Sequence, residues 1–187
     1  MRHFRTKPAF SLVELLVVMS IIALLIGILI PSLAKVNHVA TKTMCASNLR
    51  QIGIGIQVYL DEQDSKFPPA RYMPSPFISL FPDDPSLPVT LRGAVNTQSK
   101  VYKCRGDDGY VYDRAGISYT FNASLAGRDL DESWFVRRLK LQASQIPVAY
   151  DCDGNTFVLE GGGEITVPPF HMLRNLLFAD GHVGNFE

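Results

Sequence analysis

From Phe10 to Ile30 the chain runs 21 residues, FSLVELLVVMSIIALLIGILI, with one charge among them, Glu14. At about 1.5 Å of rise per residue a helix of that length reaches roughly 30 Å, the thickness of a bilayer hydrocarbon core, so a membrane-spanning helix is predicted. Beyond Pro31 the pattern changes. Cys45, Leu49, Ile52, Ile56, Tyr59 and Leu60 recur at spacings of three and four, which predicts that the helix continues through Asp61 with one face buried. Gly53 and Gly55 each weaken a helix by roughly 1 kcal/mol, so packing is expected to hold them there. Pro31 has no amide hydrogen and its ring opposes the carbonyl of Gly27, which predicts a soft turn between the two halves.

The polar half of the chain reads differently. Seven of the twelve prolines fall between Pro68 and Pro88, a density that opposes helix and central strand alike and predicts a surface connection wrapping the head. Short strands are expected at residues 116–121, 148–151 and 156–159, while 137–141 fits strand or helix. Asp180-Gly181 between LLFA and HVGNF is a hairpin signal, because both central residues of the favoured turn need positive φ. Leu177 or Phe178 should then face the helix. The fold class is α+β, a long N-terminal helix packed on a small antiparallel sheet.

Charge orients this plan. Arg2, Arg5 and Lys7 precede the apolar run and, by the positive-inside rule, are expected to hold the N-terminus in the cytoplasm and send the head outward. Two plainer readings compete. A secretory signal would use Ser32-Leu33-Ala34 as a cleavage site, but its apolar core should be about 7 to 15 residues. A simple anchor leaves Glu14 unexplained, since a carboxylate within a spanning helix costs about 2.5 to 3.5 kcal/mol. The whole chain has 18 basic and 18 acidic residues; without the leader's three, 15 face 18, so no basic excess invites nucleic acid.

The stretch AFSLVELLVVMSIIALLIGILIP resembles the N-terminus of type IV pilins and type II secretion pseudopilins. That resemblance implies cleavage by prepilin peptidase between Ala9 and Phe10 and N-methylation of Phe10. It also puts Glu14 at the fifth mature position and Pro31 at the twenty-second, as in many pilins. The family usually has Gly where this chain has Ala9, with Pro8 ahead of it. Cleavage would expose an ammonium on Phe10, one helical turn from Glu14, able to neutralise the Glu14 of a neighbouring helix. Because an uncompensated buried charge is penalised and a paired one tolerated, such pairing would favour one axial register of subunits. Four segments follow: leader 1–9, membrane and assembly helix 10–30, amphipathic continuation 31–63, and head 64–187.

The segment MCASNLRQIGIGIQVYLDEQDSKFPP, with VYKC, SYTFNASL and LLFADGHV further on, resembles a large bacterial subgroup of pilin-like proteins. Members often end with a His, nine residues, then Asp-Gly. Here eight residues separate His171 from Asp180. Three cysteines facing an oxidising compartment suggest one disulfide and one leftover thiol, with the pair undetermined by the residues themselves. The subgroup resemblance implies Cys45 with Cys104, leaving Cys152 free.

No catalytic set is visible: no Walker loop, nucleophile elbow or two-histidine zinc helix occurs. The chain is therefore read as a non-enzyme without an assigned metal or cofactor. His171, Asp180, His182, Asp151 and Asp153 are the residues whose nitrogen and oxygen atoms suit a divalent ion. The loop Asp151-Cys-Asp153-Gly154-Asn155 has oxygens of the kind calcium takes, and calcium is the one cofactor left open. The expected role is a filament subunit of a type IV pilus or secretion pseudopilus, single-pass in the inner membrane before assembly. Its partners would be prepilin peptidase, copies of itself or other pilins, an inner-membrane platform and a separate ATPase. The alternative is a membrane-tethered binding module or metal-dependent enzyme that never polymerises.

Overall fold

Leu12–Glu62 form one α-helix, α1, that passes through Pro31 without a break. The computed structural model describes residues 11–79 and 81–185. The leader 1–9, the Ala9–Phe10 junction and the methylation position Phe10 lie outside the described residues. Contacts divide the chain into two units, one ending at Val39 and the other running from Ala40.

In the first unit, residues 11–33 are exposed on every side of α1. Its most apolar 18-residue window has mean hydropathy 3.0 and no buried side chain. A helix that is apolar all round finds its stable surroundings in lipid or among other helices. The soft turn expected at Pro31 is not a helix end. One turn of missing hydrogen bonding is bridged by the flanking ladder, where Ser32 Oγ also donates to the carbonyl of Ile28 at 3.2 Å.

In the second unit, α1 buries the predicted stripe: Cys45, Leu49, Ile52 and Ile56 are at most 4% exposed, and Tyr59 and Leu60 pack at the margin of the core. The two glycines have a steric reason. A Cβ on Gly53 would sit 2.8 Å from Leu177 Cδ1, and one on Gly55 2.7 Å from Val95 Cγ2. Their absence lets the sheet and the loop after residue 91 approach the helix backbone.

The proline-rich stretch departs from the expected surface connection. It drives Phe67, Ala70, Met73, Phe77 and Leu87 into the core and bonds outward to other segments, Phe67 N–H to Arg128 O at 2.9 Å and Ile78 N–H to Val158 O at 2.9 Å. Prolines that rule out regular ladders still permit inward-pointing apolar anchors between them. The stretch ends in a one-turn helix, α2 (Leu87–Thr90), with a proline in its first turn, where a missing N–H costs nothing.

Two further short helices follow, α3 (Tyr112–Ala115) and α4 (Trp134–Leu139). The ambiguous segment 137–141 therefore begins as helix and leaves it at Lys140, which takes the left-handed conformation, φ 52°. The strands are β1 (Tyr119–Phe121), β2 (Pro147–Asp151), β3 (Thr156–Val158), β4 (Glu164–Thr166), β5 (Leu176–Phe178) and β6 (Val183–Gly184). β1, β2, β5 and β6 form an antiparallel sheet in that spatial order, with Tyr119 opposite Asp151 and Tyr150 opposite Leu176. β3 and β4 make a separate ribbon. β5 and β6 form the expected hairpin, but its turn runs from Phe178 to Gly181, whose N–H donates to Phe178 O at 2.9 Å, and of Asp180 and Gly181 only Gly181 has a positive φ, 87°. The layout is α+β and pilin-like: a long N-terminal helix followed by a small antiparallel sheet.

Candidate functional site

Two places carry chemistry. The first is the start of α1. Ser11 Oγ accepts the Val13 N–H at 3.3 Å, and Glu14 Oε2 accepts the Ser11 N–H at 2.9 Å. These reciprocal bonds make a capping box, in which two donors that a helix start leaves orphaned are satisfied by side chains. The sequence carries this signal as Ser-x-x-Glu before an apolar run, so Glu14 has an intramolecular role besides the expected intermolecular one. One carboxylate oxygen suffices for the cap. Glu14 is exposed at the side of the helix, and its other oxygen has lone pairs for a further donor.

The second place is in the head, where three long-range pairings meet. Asp151 ends β2, Asp153 follows it in the next loop, His171 precedes β5, and Cys104 lies after a short turn that Asn48 of α1 holds by donating from Nδ2 to Lys103 O at 2.9 Å. Cys104 is bonded to Cys45 of α1, with the Cα atoms 5.1 Å apart. Cys152 is free and buried, and burial pushes its thiol well above the usual range. The thiol stays protonated and unreactive while the head is folded.

Around the disulfide the polar groups are buried. The His171 ring has no exposed side-chain surface; Nε2 is 3.6 Å from Cys104 Sγ, and Nδ1 is 3.3 Å from Asp151 Oδ2 and 3.4 Å from Asp153 Oδ2. Asp153 Oδ2 accepts the N–H groups of Phe170 at 2.9 Å and His171 at 3.1 Å. Asp151 Oδ2 accepts the N–H of Asn175 and its Nδ2, both at 2.8 Å. The two acids respond in opposite directions. Burial lifts Asp151 to about 6, opposed by the neighbouring imidazole. Burial also acts to raise Asp153, but the His171 ring and the backbone donors outweigh it and hold its carboxyl below the usual range. Asp151 Oδ1 and Asp153 Oδ1 are buried without a hydrogen bond.

Of the five metal candidates read from the sequence, the structure brings His171, Asp151 and Asp153 together. It pairs Asp180 with His182 instead, Oδ1 to Nδ1 at 2.5 Å on the exposed hairpin, with the His182 ring stacked on Phe178. The cysteines share the His171 site, a meeting that no sequence spacing signals. An open groove of about 580 Å³ beside β2 and β5 lies elsewhere, lined by Pro147, Tyr150, Met172, Leu173, Arg174, Leu176 and Asn185, with no acid, histidine or cysteine.

Comparison with known proteins bears on the N-terminus. Residues 5–30 match the family described as the prokaryotic N-terminal methylation motif. No curated protein and no solved structure matches the chain. The matched residues hold the Ala9–Phe10 junction and Glu14, and they run into the exposed apolar part of α1, so motif and helix together point to membrane anchoring. The chain carries the type IV pilin and pseudopilin signal, that of a pilin-like substrate of prepilin peptidase, on a pilin-like α+β layout.

Proposed function

We propose that this protein is a structural subunit of a filament of the type IV pilus or type II secretion pseudopilus kind, and that its role is mechanical and not catalytic. Prepilin peptidase removes residues 1–9 on the cytoplasmic side, Phe10 is methylated, and the subunit waits in the inner membrane with its head outside. An assembly platform and a separate ATPase then move it into the filament, where α1 packs against the α1 of other subunits. The observation that supports this reading best is the coincidence of the methylation motif with a helix exposed and apolar on every side over residues 11–33. Exchanging lipid for neighbouring apolar helices keeps that surface out of water, so extraction from the bilayer need not expose it.

The test is the mass of the mature N-terminal peptide, read together with the sheared-filament fraction of the cells. A peptide beginning at N-methylated Phe10 and recovered from filaments is the expected result. An N-terminus at Met1, or a trimmed chain confined to membranes while filaments assemble without it, overturns the reading in favour of a tethered module.

A further inference from the structure

The ligating atoms of Cys45, Cys104, Asp151 and His171 all lie within 4.8 Å of one another, and all four residues are buried. We propose that these four side chains form a redox-gated site for a thiophilic divalent cation of the zinc class, open when the Cys45–Cys104 bond is reduced and closed when it is formed. The inference is independent of whether the protein polymerises.

Three features of the site carry it. The donors, two sulfurs, one imidazole nitrogen and one carboxylate oxygen, are those a tetrahedral zinc centre takes. With metal bonds of about 2.0 Å to nitrogen and 2.3 Å to sulfur, a tetrahedron puts those two ligands about 3.5 Å apart; His171 Nε2 and Cys104 Sγ are separated by 3.6 Å. The far side of the ring supplies the second feature. Nδ1 faces the carboxylates of Asp151 and Asp153, and Asp153 Oδ2 is itself pinned by two backbone N–H groups. An imidazole backed by a fixed carboxylate is the usual way a protein aims the other nitrogen at a metal. The third feature is the Asp151 carboxylate: one of its oxygens lies within 4.8 Å of both sulfurs and of the ring, and its Oδ1 is buried with no hydrogen bond while Oδ2 accepts from Asn175.

A dithiol reductant supplies two electrons and two protons, the Sγ–Sγ bond breaks to two thiols, and the reductant leaves as its own disulfide. Cation binding then displaces both thiol protons to solvent and forms two metal–sulfur bonds. Exchange with a small-molecule disulfide reverses this: the two thiolates re-form the Sγ–Sγ bond, the disulfide takes up the two electrons, and two protons from solvent, to leave as dithiol, and the ion is released. The bond tying α1 to the head would thus be covalent in an oxidising compartment and metal-mediated in a reducing one.

Full-length protein in detergent, carrying Cys152→Ser so that only the site thiols remain, is reduced, desalted and titrated with Co²⁺ as a spectroscopic stand-in, then with Zn²⁺. About one equivalent of Co²⁺ should bind with the absorption of a tetrahedral thiolate complex and be displaced by Zn²⁺, and the oxidised protein should give no such signal. His171→Ala should weaken binding at least about 10-fold. Cys45→Ser removes one of the two sulfurs and should cut the thiolate-to-cobalt band to about half or less. If circular dichroism shows His171→Ala unfolded, the Cys45→Ser result decides. The proposal is overturned by reduced protein without a tetrahedral signal, by a folded His171→Ala that binds as tightly as its parent, or by a Cys45→Ser band of unchanged height.

Discussion

Glu14 closes the capping box at the start of α1, and in the proposed filament the same carboxylate would also bear the charge that a neighbour's terminal ammonium neutralises. Glutamine separates the two roles. It still accepts the Ser11 N–H, as the capping box allows, but has no charge to pair. Glu14→Gln should therefore leave membrane insertion intact or improved, given the roughly 2.5 to 3.5 kcal/mol that a carboxylate costs there, while filament yield collapses. Equal yield from mutant and wild-type cells, by electron microscopy of sheared material, would remove the register role. Gly53 and Gly55 are both points of close approach. Alanine favours a helix by about 1 kcal/mol at either, but at Gly53 the new methyl meets Leu177 at 2.8 Å, and at Gly55 it meets Val95 at 2.7 Å and the buried Leu91 at 3.6 Å. Overpacking a tight core costs about 1 to 3 kcal/mol. Gly53→Ala and Gly55→Ala should each lower the melting temperature of the head; a level or raised value at either would mean that the facing side chain gives way freely.

Among the elements, the loop from residue 107 to 118 is held by a single buried acid. Asp107 accepts the N–H groups of Val111 at 3.2 Å and Tyr112 at 2.8 Å and the hydroxyl of Ser118 at 2.7 Å. Removing a buried acceptor leaves its donors unpaired, so Asp107→Ala should destabilise by about 2 to 4 kcal/mol in urea unfolding. Its exposed neighbour is the control, and Asp108→Ala should stay within about 0.5 kcal/mol. How far such elements were legible in the sequence follows from the range of the forces that make them. α1 and the Asp180-Gly181 hairpin announce themselves because their cause is local: a periodic stripe and a turn that wants positive φ. β4 gives no such sign, since Glu164–Thr166 is three residues with exposed flanks after three glycines, and only pairing with β3 makes it a strand. α4 was ambiguous for the same reason, having room for little more than one turn. The head cluster was half legible. His171, Asp151 and Asp153 suggested ligands by type, but their meeting with the Cys45–Cys104 bond depends on β2 pairing with β5 and on α1 packing beneath, contacts of long sequence separation that no spacing rule reports.

Over the whole molecule, the buried core and the exposed apolar helix occupy different parts of the chain. The core contains two fully buried phenols, Tyr102, lifted to about 12 by burial, and Tyr119, lifted further by burial and by the nearby Asp151. Unfolded phenols lose their protons near pH 10. Above that pH the unfolded state binds fewer protons than the folded one, so stability is level below about 10 and falls by up to about 1.4 kcal/mol per pH unit for each group beyond it. Tyr102 Oη has no hydrogen-bond partner, so Tyr102→Phe should keep the fold and reduce that slope in urea titrations between pH 9 and 11. The apolar surface of the first unit plays no part in this, because among the described residues every buried core side chain lies at Cys45 or beyond. A chain beginning at Ala40 keeps the stripe of α1, the disulfide and all six strands. Of the described residues it loses, 11–33 and 35–39 are exposed. Such a fragment should be soluble without detergent, melt cooperatively, and sediment as a monomer at concentrations where the full-length protein requires micelles. It should also be excluded from filaments when expressed beside the wild-type chain, because the surface that neighbouring helices would cover has gone with residues 10–39. If the fragment enters filaments nonetheless, subunits are joined through their heads, and the helix serves as an anchor alone.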